Sequence, residues 1–533
     1  MQQRLIGELL TELKDRHGYS YAQIARKANL SKSAVHRYCA GQSVPQTFAP
    51  IESIARACGA DRPTIDKLYA AWSGGPGKPE PETPGQETPG QETEAPAKRT
   101  HNRALLLAAA ALVAAVAAVV IVVLRPDGRP VPSVAGTAQQ VTGPAWTLTP
   151  APVPRTLFGA TLNSSSGDMP GFDLGAVRLW DSETRWSQVE PRRRAYDWRT
   201  LDGLVAGARK AGLPALYVFG GTPSWAAPGG ALSVYPEGAR SSPPDDLADW
   251  DAYVRAVAGR YRGRIEAYEL WVLANDKRMY TGSPETMVAM TRRASDIIRA
   301  ADPMATVVCP GMGNLWTEEG QRVLTRFAQL GGYRYCDVAG IKLFQQAASD
   351  PPETMLDLLG RVDQLLHDAE VHPRLWNTGT TYTIALQKPL DATTARNYAV
   401  RFFLVGLYAR NYNLERMYFY NWGGTKIPIV LQADGGEPTA AARAVDTLQH
   451  WLAAAQSRSC GHGSAAGLPE NAWQCELIVG TRRAAVRWTQ SGTATMPVDA
   501  PIAAVHHLDG RVDRPSPGAE LPLAEDPIFV EYA

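Results

Sequence analysis

Apolar residues recur at helical spacing from the start of the chain: Leu5, Leu9, Leu10 and Leu13, then Tyr21, Ile24 and Ala25, then Val35 with Tyr38, and later Ile51, Ile54, Ile65 and Leu68. A period near 3.6 residues predicts five short helices around one core within residues 1–72. The pattern then stops. Residues 73–103 have few apolar side chains and many Pro, Gly and Glu, with TPGQE repeated, which predicts a disordered linker ending in a basic flank. Residues 104–124 are an uncharged run of Ala, Leu, Val and Ile. As a helix this run spans about 30 Å, the thickness of a bilayer's hydrocarbon core, so it reads as a transmembrane helix. It begins too far into the chain, and runs too long, for the apolar part of a signal peptide. Residues 125–155 are Pro-rich and weakly apolar and predict a stalk.

Beyond the stalk the period changes. Runs rich in β-branched and aromatic residues (LFGATLN, AVRLW, ALYVFG, IEAYELW, TVVCPG, CDVAGIKLF, RLWNTGT and RMYFYNW) alternate with helical stretches such as Trp198 to Ala211 and Asp246 to Tyr261. Strands that alternate with helices call for a parallel sheet, and eight of them predict a closed (β/α)8 TIM barrel over residues 156–455. The last segment, 456–533, holds ELIVGTRRAAVRWTQ, ATMPVD and IFVEYA, which read as antiparallel strands of a small β-sandwich. The fold class expected is therefore multidomain: an all-α domain, one transmembrane helix, a barrel and a sandwich.

Charge sharpens this picture only locally. Lys+Arg and Asp+Glu nearly cancel over the chain, 54 against 53, which excludes a protein that binds polyanions through bulk charge. Residues 1–72 hold ten basic and six acidic side chains, a local excess that suits phosphate contact. Lys98, Arg99 and Arg103 precede the apolar run, and Arg125 and Arg129 with Asp127 follow it. That slight bias places the N-terminus in the cytoplasm and the C-terminal part outside, with the chain in the plasma membrane. Six cysteines are too few for a disulfide scaffold and match no zinc spacing, so no metal or cofactor is expected. Outside the cell Cys460 and Cys475 would pair, Cys309 and Cys336 would pair or simply pack, and Cys39 and Cys58 would stay reduced.

The stretch SYAQIARKANLSKSAVHRYCAG resembles the helix-turn-helix of λ-repressor-like (Xre-type) regulators. A first helix around Tyr21 to Ala28, Asn29-Leu30 at the turn, Ser31 as N-cap and Gly41 ending the second helix carry the resemblance. It implies that the second helix enters the major groove of double-stranded DNA, with Ser31, Lys32, Ser33, His36 and Arg37 facing bases and phosphates.

The outer strand IEAYELWVLAND resembles the fourth barrel strand of clan A glycoside hydrolases, the group that includes β-xylosidases and α-iduronidases. There a Glu-x-Trp-Asn-Glu-Pro segment supplies the acid/base. Glu269 and Trp271 match, but Val272 and Leu273 stand where Asn and the catalytic Glu are expected. RLWNTGTTYT resembles the seventh strand, and its nucleophile position is Gly379. Retaining hydrolysis needs two carboxyl groups about 5 Å apart, and these two residues offer none. The resemblance therefore implies a pseudo-enzyme with no catalytic residues at the expected places. Arg178 resembles the second-strand arginine, Trp422 the eighth-strand tryptophan, and Lys342 replaces the sixth-strand histidine.

A cleft without catalysis can still bind. Arg178, Trp180, Trp225, Glu269, Trp271, Asn275, Asp276, Trp376, Asn377, Asn421 and Trp422 lie at or near predicted strand ends, where barrel ligands sit, and aromatic faces beside amides suit a glycan or cell-envelope polysaccharide. The parts together read as a membrane-anchored regulator that binds DNA on one side and carbohydrate on the other, with small residues Ala110, Ala114 and Ala118 permitting a homodimer. The alternatives are a membrane-anchored glycoside hydrolase with relocated carboxylates, for which Asp276, Glu269, Asp181 and Glu183 are candidates, and a structural tether of the envelope.

Overall fold

The computed structural model describes residues 2–71, except 17, 29–31, 44–48, 62–63, 66 and 69–70, and residues 143–533, except 499 and 517. The chain divides into two units, Met1–Val123 and Leu124–Ala533.

In the first unit the helical period yields α1 (Gln2–Arg16), α2 (Tyr21–Ala28), α3 (Lys32–Cys39) and α4 (Ala49–Ala57), with further helical residues at 64–65 and 67–68. Ile6, Leu10, Leu13, Ile24, Val35, Ile51, Ile54, Ile65 and Leu68 form its core. Leu5 departs from expectation and is 47% exposed. Ile6 takes the inward place because its i+4 and i+7 neighbours, Leu10 and Leu13, share its face. Helix α3 ends at Gly41, whose φ of +65° is a left-handed conformation. Gly41 N–H donates to Tyr38 O and Gln42 N–H to Arg37 O, which together close the last turn. A Cβ on Gly7 of α1 would stand 2.6 Å from Gly41 N, so α1 crosses this cap backbone against backbone. Gly41→Ala is expected to lower the domain's stability by about 1 kcal/mol through the left-handed φ alone, read as a lower midpoint in chemical denaturation.

The expected membrane topology requires correction. Among the described residues no helix is long and apolar enough to cross a membrane. Pro284–Ala301, a helix of 18 residues, shows why: Glu285, Arg292, Arg293, Asp296 and Arg299 interrupt it, and its apolar residues form one stripe toward the core. The run 104–124, the linker and residues 125–142 lie outside the described residues. Neither the transmembrane helix of the expected fold class nor the plasma-membrane localisation is retained.

In the second unit all eight expected barrel strands form: β2 (Phe158–Leu162), β3 (Ala176–Leu179), β4 (Ala215–Val218), β5 (Ala267–Glu269), β6 (Thr306–Val308), β7 (Ala339–Ile341), β8 (Leu375–Asn377) and β9 (Leu414–Trp422). They run parallel in chain order, β9 pairs with β2, and the bridges Val308–Val338 and Met312–Ile341 join β6 to β7 and close the ring. Strand alternation fills the inside in layers. Ala176, Leu216, Ala267, Val308, Trp376 and Tyr418 make an apolar layer. Two residues further along the strands, the inward side chains of β3 and β5 are Arg178 and Glu269. Gly159 on β2 is required opposite Tyr418, since a Cβ there would stand 2.7 Å from the ring.

The C-terminal segment is a seven-stranded antiparallel sheet in the order β1 (Ala145–Pro152), β10 (Ala455–His462), β11 (Ala472–Val479), β12 (Arg482–Thr489), β17 (Ile528–Tyr532), β14 (Ile502–His507) and β15 (Val512–Asp513). A two-stranded sheet, β13 (Ala494–Pro497) with β16 (Glu520–Leu523), packs on it through Leu521 and Leu523 against Val505, Ile528 and Val530. Strand β1 corrects the stalk reading of 145–152. Its prolines disguise it in the sequence but are tolerated at a sheet edge, and Trp146 anchors it by burying its ring and donating from Nε1 to Tyr408 O at 2.9 Å. Arg401, fully buried, fastens sheet to barrel: it pairs with Glu353, which also accepts from Trp488 Nε1 at 2.7 Å, while Arg401 Nη2 donates to Gln490 O at 2.9 Å. Disulfides join Cys460 to Cys475 on neighbouring strands and Cys309 to Cys336 beside the closing seam of the barrel.

Candidate functional site

Two places carry candidate chemistry, and each lies within one unit. In the first, α3 turns Val35 and Cys39 into the core, which leaves Lys32, His36 and Arg37 exposed on its outer side. His36 meets Tyr21 of α2 edge to face, with ring centroids 5.1 Å apart, so the two helices of the motif touch through a candidate contact residue. Ser33 lies on the same helix; Asn29, Leu30 and Ser31 lie outside the described residues. Cys39 and Cys58 are free and buried, and burial pushes the Cys39 thiol up to about 11. Neither is a reactive thiol in the folded domain.

The second place is the C-terminal mouth of the barrel. Glu269 ends β5 with no exposed surface and accepts from Arg178 Nε at 2.7 Å, Lys342 Nζ at 2.8 Å and Thr378 Oγ1 at 2.9 Å. Burial alone would raise this carboxyl, but the charges of Arg178 and Lys342 hold it below the ordinary range. Lys342 responds oppositely: burial first, then the Arg178 charge, bring its ammonium down to about 7. The two shifts agree once the three groups are taken together, because Arg178 suffices to neutralise Glu269 and a second buried cation is in excess. Above them Asp181 accepts from Tyr420 Oη at 2.8 Å and lies 3.7 Å from Arg185, and burial raises its pKa despite both.

Leu273 and Gly379 stand where the resemblance leads one to expect catalytic acids. Leu273 is buried with a φ of +44° and packs with Trp180, Val272 and Met279 under Tyr235. Trp180 Nε1 donates to Tyr235 Oη at 2.7 Å, and the Arg185 guanidinium lies 3.9 Å over the Tyr235 ring. This apolar stack occupies the side of the mouth where an acid/base carboxylate is expected. A Cβ on Gly379 would find only Thr161 Oγ1, at 3.8 Å. What remains between Arg178, Asp181, Lys342, Tyr420 and Thr381 is a small pocket of about 40 Å³ open to the mouth.

The sequence-derived binding residues divide accordingly. Arg178, Glu269 and Trp180 meet at the mouth. Trp271 is buried against Trp250 and Tyr280 and donates to Met279 O at 3.1 Å. Trp376 faces the lower barrel interior beneath the Arg416 guanidinium, 3.9 Å away. Trp422 donates to Gln432 at 2.8 Å, and Trp225 is half-buried on Trp186. Asn275 binds the backbone of Gly313 and Gly320, Asn377 receives Leu343 N–H, and Asn421 receives Gly424 N–H. Asp276 is bound by Arg278 through both carboxylate oxygens. These eight residues support loops and packing. Residues not foreseen complete the mouth: Tyr420, which strand alternation after Tyr418 places inward, and Tyr235, in a long loop that carries no sequence signal. An open polar groove beside the half-exposed Trp316, with Gln346, Asp350, Asp357 and Arg361, was likewise not foreseen.

Residues 5–68 match the helix-turn-helix domain family. No curated protein matches the chain in sequence. Among solved structures, a family 39 glycoside hydrolase from Bacteroides cellulosilyticus WH2 aligns with a TM-score of 0.54 and 16% identity over 72% of this chain and 81% of its own. A monomeric β-xylosidase from Caulobacter crescentus CB15 aligns at 0.51 and 12%, covering 72% of this chain and 97% of its own. A glucosidase from Croceicoccus marinus aligns at 0.50 and 12%, covering 72% and 96%. At such identities the likeness is one of fold, so the chain joins a domain of the helix-turn-helix family to a barrel with the glycoside hydrolase fold.

Proposed function

We propose that the chain is a DNA-binding regulator whose barrel is a non-hydrolysing, carbohydrate-binding sensor domain. The observation that carries this reading is the pair Leu273 and Gly379: neither position where the resemblance expects a catalytic acid offers a carboxyl group, and the side chain of Leu273 belongs to an apolar stack on one side of the mouth. In-line displacement at an anomeric carbon tolerates little displacement of its acids, and Asp276, engaged by Arg278, does not replace them. Carbohydrate has the open Trp316 groove, where the half-buried indole, with the Arg361 guanidinium 5.4 Å over its ring, stands beside the Gln346 amide and the Asp350 and Asp357 carboxylates. On the DNA side the exposed Lys32, His36 and Arg37 of α3 supply the contacts.

Two measurements test this. Lys32→Ala combined with Arg37→Ala is expected to weaken duplex binding by the full chain about tenfold or more and to flatten its salt dependence; salt-independent or unchanged binding refutes the DNA role. Incubation with aryl glycosides and cell-wall polysaccharides is expected to give no turnover, while a glycan array gives binding that Trp316→Ala removes. Turnover that Asp276→Asn abolishes overturns the reading in favour of a relocated hydrolase.

A further inference from the structure

The pocket at the barrel mouth is unusual in what lines it. Arg178 is 2% exposed, and its Nη2 finds no hydrogen-bond partner. Thr380 Oγ1 and Thr381 Oγ1, on the segment after β8, are also buried and unpartnered. All three residues line the same small pocket, together with Lys342, with the Asp181 carboxyl, which burial pushes up, and with the apolar side chains of Leu273 and Met279. A buried polar atom left unpaired costs about 1–3 kcal/mol. A guanidinium nitrogen and two hydroxyls around one void therefore point to a small polar ligand with at least one anionic or strongly accepting group. Lys342 supplies more than charge: its amine lies against a carboxylate, Glu269, that is already neutralised by Arg178.

We propose that Lys342 captures a small aldehyde or 2-oxo acid as an imine, with Arg178 and the two threonines holding the carboxylate or hydroxyl of the captured molecule. This goes beyond sugar binding and hydrolysis, since it uses neither anomeric carbon nor paired carboxyls. The Nζ lone pair attacks the carbonyl carbon, and the carbonyl π electrons move to oxygen. Glu269 relays both Nζ protons in turn to the former carbonyl oxygen, the first making the carbinolamine hydroxyl and the second letting it leave as water as the C=N bond forms. The balance is one amine plus one carbonyl giving one imine plus one water, with nothing oxidised or reduced. An amine must be uncharged to attack, and burial beside Arg178 lowers Lys342 to about 7, so much of it is uncharged at neutral pH while exposed lysines are not. Thr378, whose backbone oxygen lies 2.8 Å from Nζ, orients the amine.

The test is reductive trapping on the full chain. Glyoxylate and cyanoborohydride are added at pH 7, and peptide mapping locates carboxymethyl-lysine. Lys342 is expected to react at least about tenfold faster than exposed lysines such as Lys277 and Lys388, to saturate with glyoxylate, and to prefer glyoxylate over acetaldehyde. Lys342→Arg, which keeps the pairing with Glu269, is expected to lose that fast adduct. Labelling spread over exposed lysines with Lys342 unmodified overturns the proposal. Equal trapping of acetaldehyde and glyoxylate overturns the part given to Arg178.

Discussion

Glu269→Ala is expected to destabilise the barrel by about 3–5 kcal/mol, because it leaves the buried Arg178 guanidinium and the Lys342 amine without their carboxylate. For a unit of this size about 1 kcal/mol moves the melting temperature by roughly 1 °C, so a fall near 5 °C is the readout. Lys342→Met should cost far less, since Arg178 alone still neutralises Glu269. In the double variant Glu269→Ala with Lys342→Met, much of the loss should return, and the coupling measured in that cycle apportions the triad. If Glu269→Ala and Lys342→Met cost the same, the account of Lys342 as the surplus cation fails. The pH dependence has a definite sign. Folding holds Lys342 near 7 against an ordinary 10.5, so unfolding takes up a proton between those values and stability contributed at this residue rises with pH across that window. Lys342→Met should remove that slope.

The second large effect lies far from the mouth. Glu353→Ala leaves Arg401, with no exposed side-chain surface, without its buried carboxylate, holding Gln490 O at 2.9 Å and the partly exposed Glu525 at 3.4 Å. A loss of about 3–5 kcal/mol is expected. The same change frees Trp488 Nε1, so amide exchange should accelerate in β12 before it does in the barrel strands, and a uniform change across both would show that Glu353 does not fasten sheet to barrel.

Much of this architecture was legible one residue at a time. Strand alternation alone puts Arg178 and Glu269 inside the ring, because inward and outward positions must trade places along each strand. The eight strands were found from β-branched and aromatic runs separated by helical spacing, and the absence of a carboxyl side chain at Leu273 and Gly379 was plain from the residues themselves. The tryptophans were not legible in the same way. Trp271, Trp376 and Trp422 sit near predicted strand ends, but whether such a ring faces the mouth, the barrel floor or the helix layer depends on the local twist and on which neighbours leave room. Trp376 found its place under Arg416, a residue of the next strand.

Local chemistry along the chain determined the element types, the helical motif with Gly41 at its cap, and that positions 273 and 379 carry no carboxyl group. Tertiary structure alone decided that Tyr235 and Trp180 close over Leu273, that Arg178 and two threonines keep unpaired atoms around a void, and that residues 145–152 join a sheet begun three hundred residues later. The reason is common to all three: each depends on side chains brought together from distant segments, and such proximity is a property of packing in three dimensions that no local period or propensity encodes.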